Sequence, residues 1–319
     1  MRLCRFAQGT EARPAFYFDK LIVPLEAAKR IYRERTHKEL SLPVTDDLLA
    51  YLPPDGKSFA ATRELAAWLE TNPGVADGAA LDHSKAQILT PLPRPPKLLL
   101  LAGNYAAHIE EGGRNAVARQ KTFPYVFMKP PSTTLNHPGA SIPIPKVSPS
   151  FIDWEVELGV ILGRRAKAVR EEEALQYVAA YTVVNDISDR KFRPNPGREN
   201  RQQDQFFDWL HGKWHDGFCP AGPCVRSADS LPDPQKLRLT LKVNGETKQN
   251  ASTTQQIFPV AAVIAFISSF VTLEPGDIIS TGTPSGVGNA TGTYLKPGDR
   301  MEAEIEGIGV LKNQMIADR

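Results

Sequence analysis

Cysteine is scarce: 319 residues hold three, Cys4, Cys219 and Cys224. A sparse, odd set excludes a disulfide framework. The spacing in Cys219-Pro220-Ala221-Gly222-Pro223-Cys224 is wrong for a CxxC redox or zinc motif. Long apolar runs are also missing. The longest, near 260–267, is far too short to span a bilayer, and no N-terminal run has the form of a signal peptide. Charge of one sign is lacking as well. With 38 Lys and Arg against 36 Asp and Glu, the net charge of +2 gives no long-range pull toward nucleic acid or a membrane. These absences together point to a globular protein of a reducing cytoplasm.

What is present begins with proline. The 27 prolines predict many loops and strand ends rather than a helical bundle. Residues 1–92 read as a small N-terminal α/β domain, with strands at 15–18 and 21–25 and helices at 46–52 and 58–70, the second capped by Ser58. No catalytic constellation is visible there. The stiff segment 91–96, Pro-Leu-Pro-Arg-Pro-Pro, marks the boundary with a domain of residues 93–319. Beyond it come strands at 97–102, 125–129 and 181–184, and helices at 105–111, 171–177 and 260–270. A hairpin turns at Asn244-Gly245, and further strands lie at 277–281, 301–306 and 309–313. Residues 192–212 read as one long polar loop. Many strands with few helices predict an α+β, mostly β architecture on a rolled mixed sheet.

The chemistry-bearing residues start with Asp153-Trp154-Glu155-Val156-Glu157-Leu158. On a strand, Glu155 and Glu157 share one face and Trp154, Val156 and Leu158 the other. Alone, such a pair also describes a solvated acidic edge. Asp186, ending a later strand beside Asn185, adds a third carboxylate. Three carboxylates from two strand ends suit Mg²⁺, which keeps several waters, or Mn²⁺; Ca²⁺ prefers six to eight oxygens, and the lack of histidine weighs against zinc. His108 and Glu111 lie one helical turn apart, either as a general base with its orienting carboxylate or as a surface pair. Lys213 is placed to meet a carboxylate or oxyanion, unless it is a surface lysine. The turn 281–288, with Gly282 and Thr283, lacks the GK[ST] of a phosphate loop, yet its amides and hydroxyls can bind a carboxylate. Arg193, Arg198 and Arg201, if not simply exposed, are placed to select a second substrate carboxylate.

Taken in order, these pieces resemble the fumarylacetoacetate hydrolase (FAH) superfamily. The matching motifs are Asn104–Glu111, Phe127-Met128-Lys129-Pro130, Asp153–Leu158, Asn185–Arg190, Gly212-Lys213, Pro275-Gly276-Asp277 and Thr281–Pro284. The resemblance implies an FAH-type mixed β-sandwich roll, a homodimer, and Mg²⁺ or Mn²⁺ held by Glu155, Glu157 and Asp186, with Ca²⁺ able to stand in within crystals. It implies that His108 and Glu111 activate water and that Lys213 and Thr283 contact the oxygens of a small 2-oxo acid. The expected activity is hydrolysis of a C–C bond in an acylpyruvate or fumarylpyruvate. The alternative on the same site is 2-oxo acid decarboxylation or enol–keto tautomerisation of an oxaloacetate or 2-hydroxymuconate type of substrate. A non-catalytic oxo-acid binder is the reading from another class.

Overall fold

The structure is a computed structural model and describes residues 1–231 and 233–318. Two strands form its centre. Val156–Leu162 and Val178–Asn185 are buried along their whole length. Their near-continuous apolar sequences, VELGVIL and VAAYTVVN, are what a strand covered on both faces requires. They pair antiparallel with Val156 opposite Asn185 and Gly159 opposite Thr182. Gly159 lets the pair pack closely: a Cβ there would lie 2.8 Å from Val184 Cγ2 and 2.9 Å from Thr182 Cγ2.

Around this pair grows a 12-stranded mixed sheet. On one side follow Ile278–Ser280, Leu98–Ala102 and the edge strand Tyr125–Met128; on the other, Cys219–Ser227, then Arg2–Gln8, Glu11–Tyr17, Leu21–Pro24 and Leu81–Asp82. The first 92 residues therefore extend the sheet that carries the central strands. Leu3, Phe16 and Val23 share a core with Ile161, Ala180, Val184 and Val225. A second sheet has the order Glu246–Ser252, Arg238–Val243, Arg300–Ile305, Gly309–Ala317, Ser141–Ile144. Its alternating burial lays Leu239, Leu241, Met301, Ala303 and Ile305 in the same core as Val156, Leu158 and Val160. The result is the mixed, mostly β, rolled architecture expected from the sequence. Among the described residues, no helix is long and apolar enough to cross a membrane.

Several local expectations need correction. The segment 192–212 is not one loop: Asp204–His211 is helical. Its polar neighbours hide an aromatic face, from which Trp209 stacks edge-on against Phe127 at 4.9 Å. Residues 25–36 form a helix that the sequence reading passed over, because its buried stripe is only Leu25, Ala28 and Tyr32 among charged residues. The helix expected at 46–52 is a short 3₁₀ turn, Leu48–Tyr51, capped by Asp47 and stopped by Pro53-Pro54. Glu171–Tyr177 is likewise 3₁₀. Ser58 precedes the helix Phe59–Thr71, but its side chain makes no capping bond.

Candidate metal centre and active site

The register of the central strands builds the acidic cluster. Asp186 N donates to Glu155 O at 2.9 Å, and Glu155 N donates to Asn185 Oδ1 at 2.9 Å. This lock sets Asp186 beside the strand that carries Glu155 and Glu157. Ligand atoms of the three carboxylates lie within 4.8 Å of one another, and all three residues are buried. The solvated-edge reading of the Glu pair is thereby excluded.

Two buried lysines and a partly buried arginine surround the acids. Lys213 Nζ spans Glu155 Oε2 at 2.9 Å and Asp186 Oδ2 at 2.6 Å. Lys129 Nζ donates to Asp186 Oδ1, to Ile187 O at 2.9 Å and to Phe218 O at 2.6 Å. Arg190 pairs with Glu155 Oε1 at 2.6 Å and with Asp153 Oδ2 at 2.7 Å. These charges separate the two glutamates. Burial pushes Glu155 upward, but Lys213, Arg190 and His108 outweigh it and hold the carboxyl well below the usual range. Glu157 is driven well above it by burial, then by Asp186 and Glu155. Burial lowers Lys213, yet Asp186 and Glu155 more than compensate and keep it charged.

Asp153 is outside this cluster. Its oxygens accept from Trp154 N, Gly288 N, Asn289 N and Arg190.

The cluster fits a hard divalent cation. Glu157 Oε2 accepts from Ser280 Oγ at 2.6 Å and Gly282 N at 3.0 Å, whereas Oε1 is buried with no hydrogen-bond partner. A buried carboxylate oxygen without a donor is costly unless a cation or proton takes it. The donors are all oxygen, as Mg²⁺ and Mn²⁺ prefer.

His108 and Glu111 are paired. On the helix Ala106–Glu111, His108 Nδ1 and Glu111 Oε1 are 2.7 Å apart. Glu111 Oε2 also accepts from Gly286 N at 2.8 Å, tying the pair to the glycine-rich turn. Asn104 fastens the helix's root, donating to Phe258 O and Thr281 O.

The expected substrate contacts are placed as follows. The Gly282 amide is committed to Glu157 and not free for a substrate. Thr283 Oγ1 donates to Val156 O at 3.0 Å and accepts from Gln249 Nε2 at 2.9 Å. Arg198 pairs with Asp204 and Asp208, and Arg201 with Asp204. Arg193 is exposed and reaches Asn200 Oδ1 at 3.3 Å.

Sequence reasoning gave no role to Lys129, Arg190, Ser280 or Gln249. Lys129 left a signal, a lysine ending the apolar strand Tyr125–Met128. Gln249 left none, sitting among polar residues.

Comparison with known proteins agrees with this geometry. Residues 97–316 match the fumarylacetoacetate (FAA) hydrolase C-terminal family. The chain is 37% identical over 258 residues to a mitochondrial oxaloacetate tautomerase of Rattus norvegicus, covering 80% of this chain and 75% of that one. It resembles maleylpyruvate hydrolase from Sphingobium sp. SYK-6, solved with manganese(II) and pyruvate, with TM-score 0.70, 25% identity and full coverage of both chains. A 5-carboxymethyl-2-hydroxymuconate delta-isomerase from Mycobacterium smegmatis aligns with TM-score 0.69, 25% identity and full coverage of both. The buried three-carboxylate cluster beside a His–Glu pair is consistent with a divalent metal, which one of these similar structures holds as manganese(II). The chain belongs to the fumarylacetoacetate hydrolase superfamily, whose members include hydrolases, isomerases and tautomerases.

Proposed function

We propose that the protein is a Mg²⁺- or Mn²⁺-dependent enzyme that interconverts the keto and enol forms of a small 2-oxo dicarboxylic acid of the oxaloacetate type. The observation that carries this reading is the His108–Glu111 pair beside the acidic cluster, with His108 near enough to bear on the charge of Glu155. The likeness to an oxaloacetate tautomerase over most of the chain supports it.

Glu155, Glu157 and Asp186 would hold the metal. Bound there, it would polarise the 2-oxo group and acidify the neighbouring carbon. The chain's residues move the proton. His108 Nε2 takes it from that carbon, because Nδ1 is engaged by Glu111, which orients the ring and stabilises the imidazolium. Two of the three Lys213 N–H groups are committed to Glu155 and Asp186, and the third stabilises charge growing on the substrate oxygen. Return of the proton from His108 to that oxygen completes the enol. The exposed Arg193 would meet the second carboxylate.

The same pair can activate water, which sustains hydrolysis of an acylpyruvate as the second reading. The likeness over the whole chain to a maleylpyruvate hydrolase favours it. Sequence alone put hydrolysis first because the His–Glu pair is intact. Proton exchange at carbon asks less of that pair, since no water has to be placed and no carbon leaving group protonated.

Oxaloacetate and a panel of acylpyruvates, including fumarylpyruvate and maleylpyruvate, incubated with Mg²⁺ or Mn²⁺, separate the readings. Faster decay of enol absorbance from oxaloacetate, without pyruvate or carbon dioxide, is expected. Pyruvate release from an acylpyruvate, with oxaloacetate exchange unchanged, establishes hydrolysis instead. Full activity after EDTA dialysis overturns the metal assignment.

A further inference from the structure

Where the central strand reaches the metal cluster, it loses its neighbour. Ile278–Ser280 pairs with Gly159, Val160 and Ile161, and the backbone ladder goes one step further, Thr281 N to Leu158 O at 3.0 Å. Beyond that the chain peels away into the glycine-rich turn. Val156, between the two glutamates, would be left with an N–H and a carbonyl facing no strand on that side.

Gln249 fills the gap. Its Oε1 accepts from Val156 N at 3.0 Å, and its Nε2 donates to Thr283 Oγ1 at 2.9 Å and Pro284 O at 2.8 Å. Thr283 Oγ1 closes the ring by donating to Val156 O at 3.0 Å. The side-chain amide thus takes the place of a peptide group in the ladder. Its own strand, Glu246–Ser252, is the edge of the second sheet, and Gln249 is its one buried residue. A buried position there calls for an apolar side chain unless hydrogen bonding requires otherwise.

We propose that Gln249 is a positioning residue for the reaction. It fixes the pleat that aims Glu155 and Glu157 at the metal, and it sets the polarity of the Thr283 hydroxyl. With that proton held by Val156 O and one lone pair held by Gln249, Thr283 can offer a substrate only an acceptor. It therefore suits an enol or other hydroxyl rather than a carboxylate. The inference rests on the metal-dependent reading above.

Calorimetric titration with Mn²⁺ tests it without reference to turnover. Gln249→Met is expected to weaken Mn²⁺ binding at least about tenfold while far-UV circular dichroism is retained. Thr283→Val should give a similar loss. The double variant should be no worse than either alone, because the ring is broken once. Gln249→Glu, which keeps the shape but not the donor, reports the same loss if the methionine variant does not fold. Mn²⁺ affinity within twofold of wild type in a folded Gln249 variant, or losses that multiply in the double variant, overturn the assignment of Gln249 alone. Wild-type protein that binds no divalent cation overturns the metal reading with it.

Discussion

At the scale of single residues, the site places Glu157 and Glu155 in opposite electrostatic situations two positions apart. Glu155 meets Lys213 and Arg190; Glu157 meets Ser280, an amide and two other carboxylates. A carboxyl raised in the folded state stabilises the fold below the ordinary glutamate value of about 4.3, and that contribution disappears as pH rises through the raised value. Metal-free protein should therefore lose thermal stability as pH rises from the ordinary glutamate value toward the raised one of Glu157. A divalent cation competes with that proton, so Mn²⁺-loaded protein should show a flatter profile and Mn²⁺ affinity should climb with pH. Thermal melts with and without Mn²⁺ across that range check this; two parallel curves would count against the role of Glu157. Lys129 is the counterpart on Asp186. All three of its N–H groups have acceptors and its side chain is fully buried, so it fixes one Asp186 oxygen while Lys213 holds the other. The triad itself was legible in the sequence, because strand alternation puts Glu155 and Glu157 on one face and Val183-Val184 delivers Asn185-Asp186. The cations were not, because which lysine or arginine folds inward depends on contacts far apart in the chain.

At the scale of elements, the glycine-rich turn is where the chemistry is assembled. Gly286 has φ +99°, and a Cβ there would lie 2.1 Å from Lys248 O. Its N–H holds Glu111 and its carbonyl accepts from Trp154 Nε1 at 3.1 Å. Gly286→Ala should force the turn off the strand, free Glu111 and misorient His108. The expected result is a fall in kcat of about tenfold or more with a smaller change in Mn²⁺ affinity. Gly292→Ala is the control: φ is +69°, yet nothing lies within 4 Å of the added Cβ, so only backbone strain of roughly 1–2 kcal/mol applies. Equal losses of kcat in the two variants would refute this role for the turn. The elements also show what periodicity can reveal. The helix Val260–Phe270 and the Asn244-Gly245 hairpin were readable because their signals are local. The helix Asp204–His211 was not, because its apolar face finds its packing partners, Phe127 among them, far away in the chain.

At the scale of the whole molecule, the main sheet joins residues 1–92 to the acidic cluster. Arg2–Gln8 pairs with Cys219–Ser227, which follows directly on Phe218, an acceptor for Lys129. Removing residues 1–92 would bare the edge of Cys219–Ser227 and the core around Ile161, Ala180 and Val225. The fragment 93–319 is expected to aggregate or to lack a cooperative melt, as size-exclusion chromatography and calorimetry would reveal. A monodisperse fragment with wild-type Mn²⁺ affinity would instead establish the proline-rich segment as a true domain boundary. The pairing of Arg2 with Arg226 also bears on biosynthesis. The strand Arg2–Gln8 waits for a partner made roughly two hundred residues later. During that interval its apolar face and open edge are exposed to other nascent chains, so the time between synthesis of the two strands is when this protein depends most on chaperones.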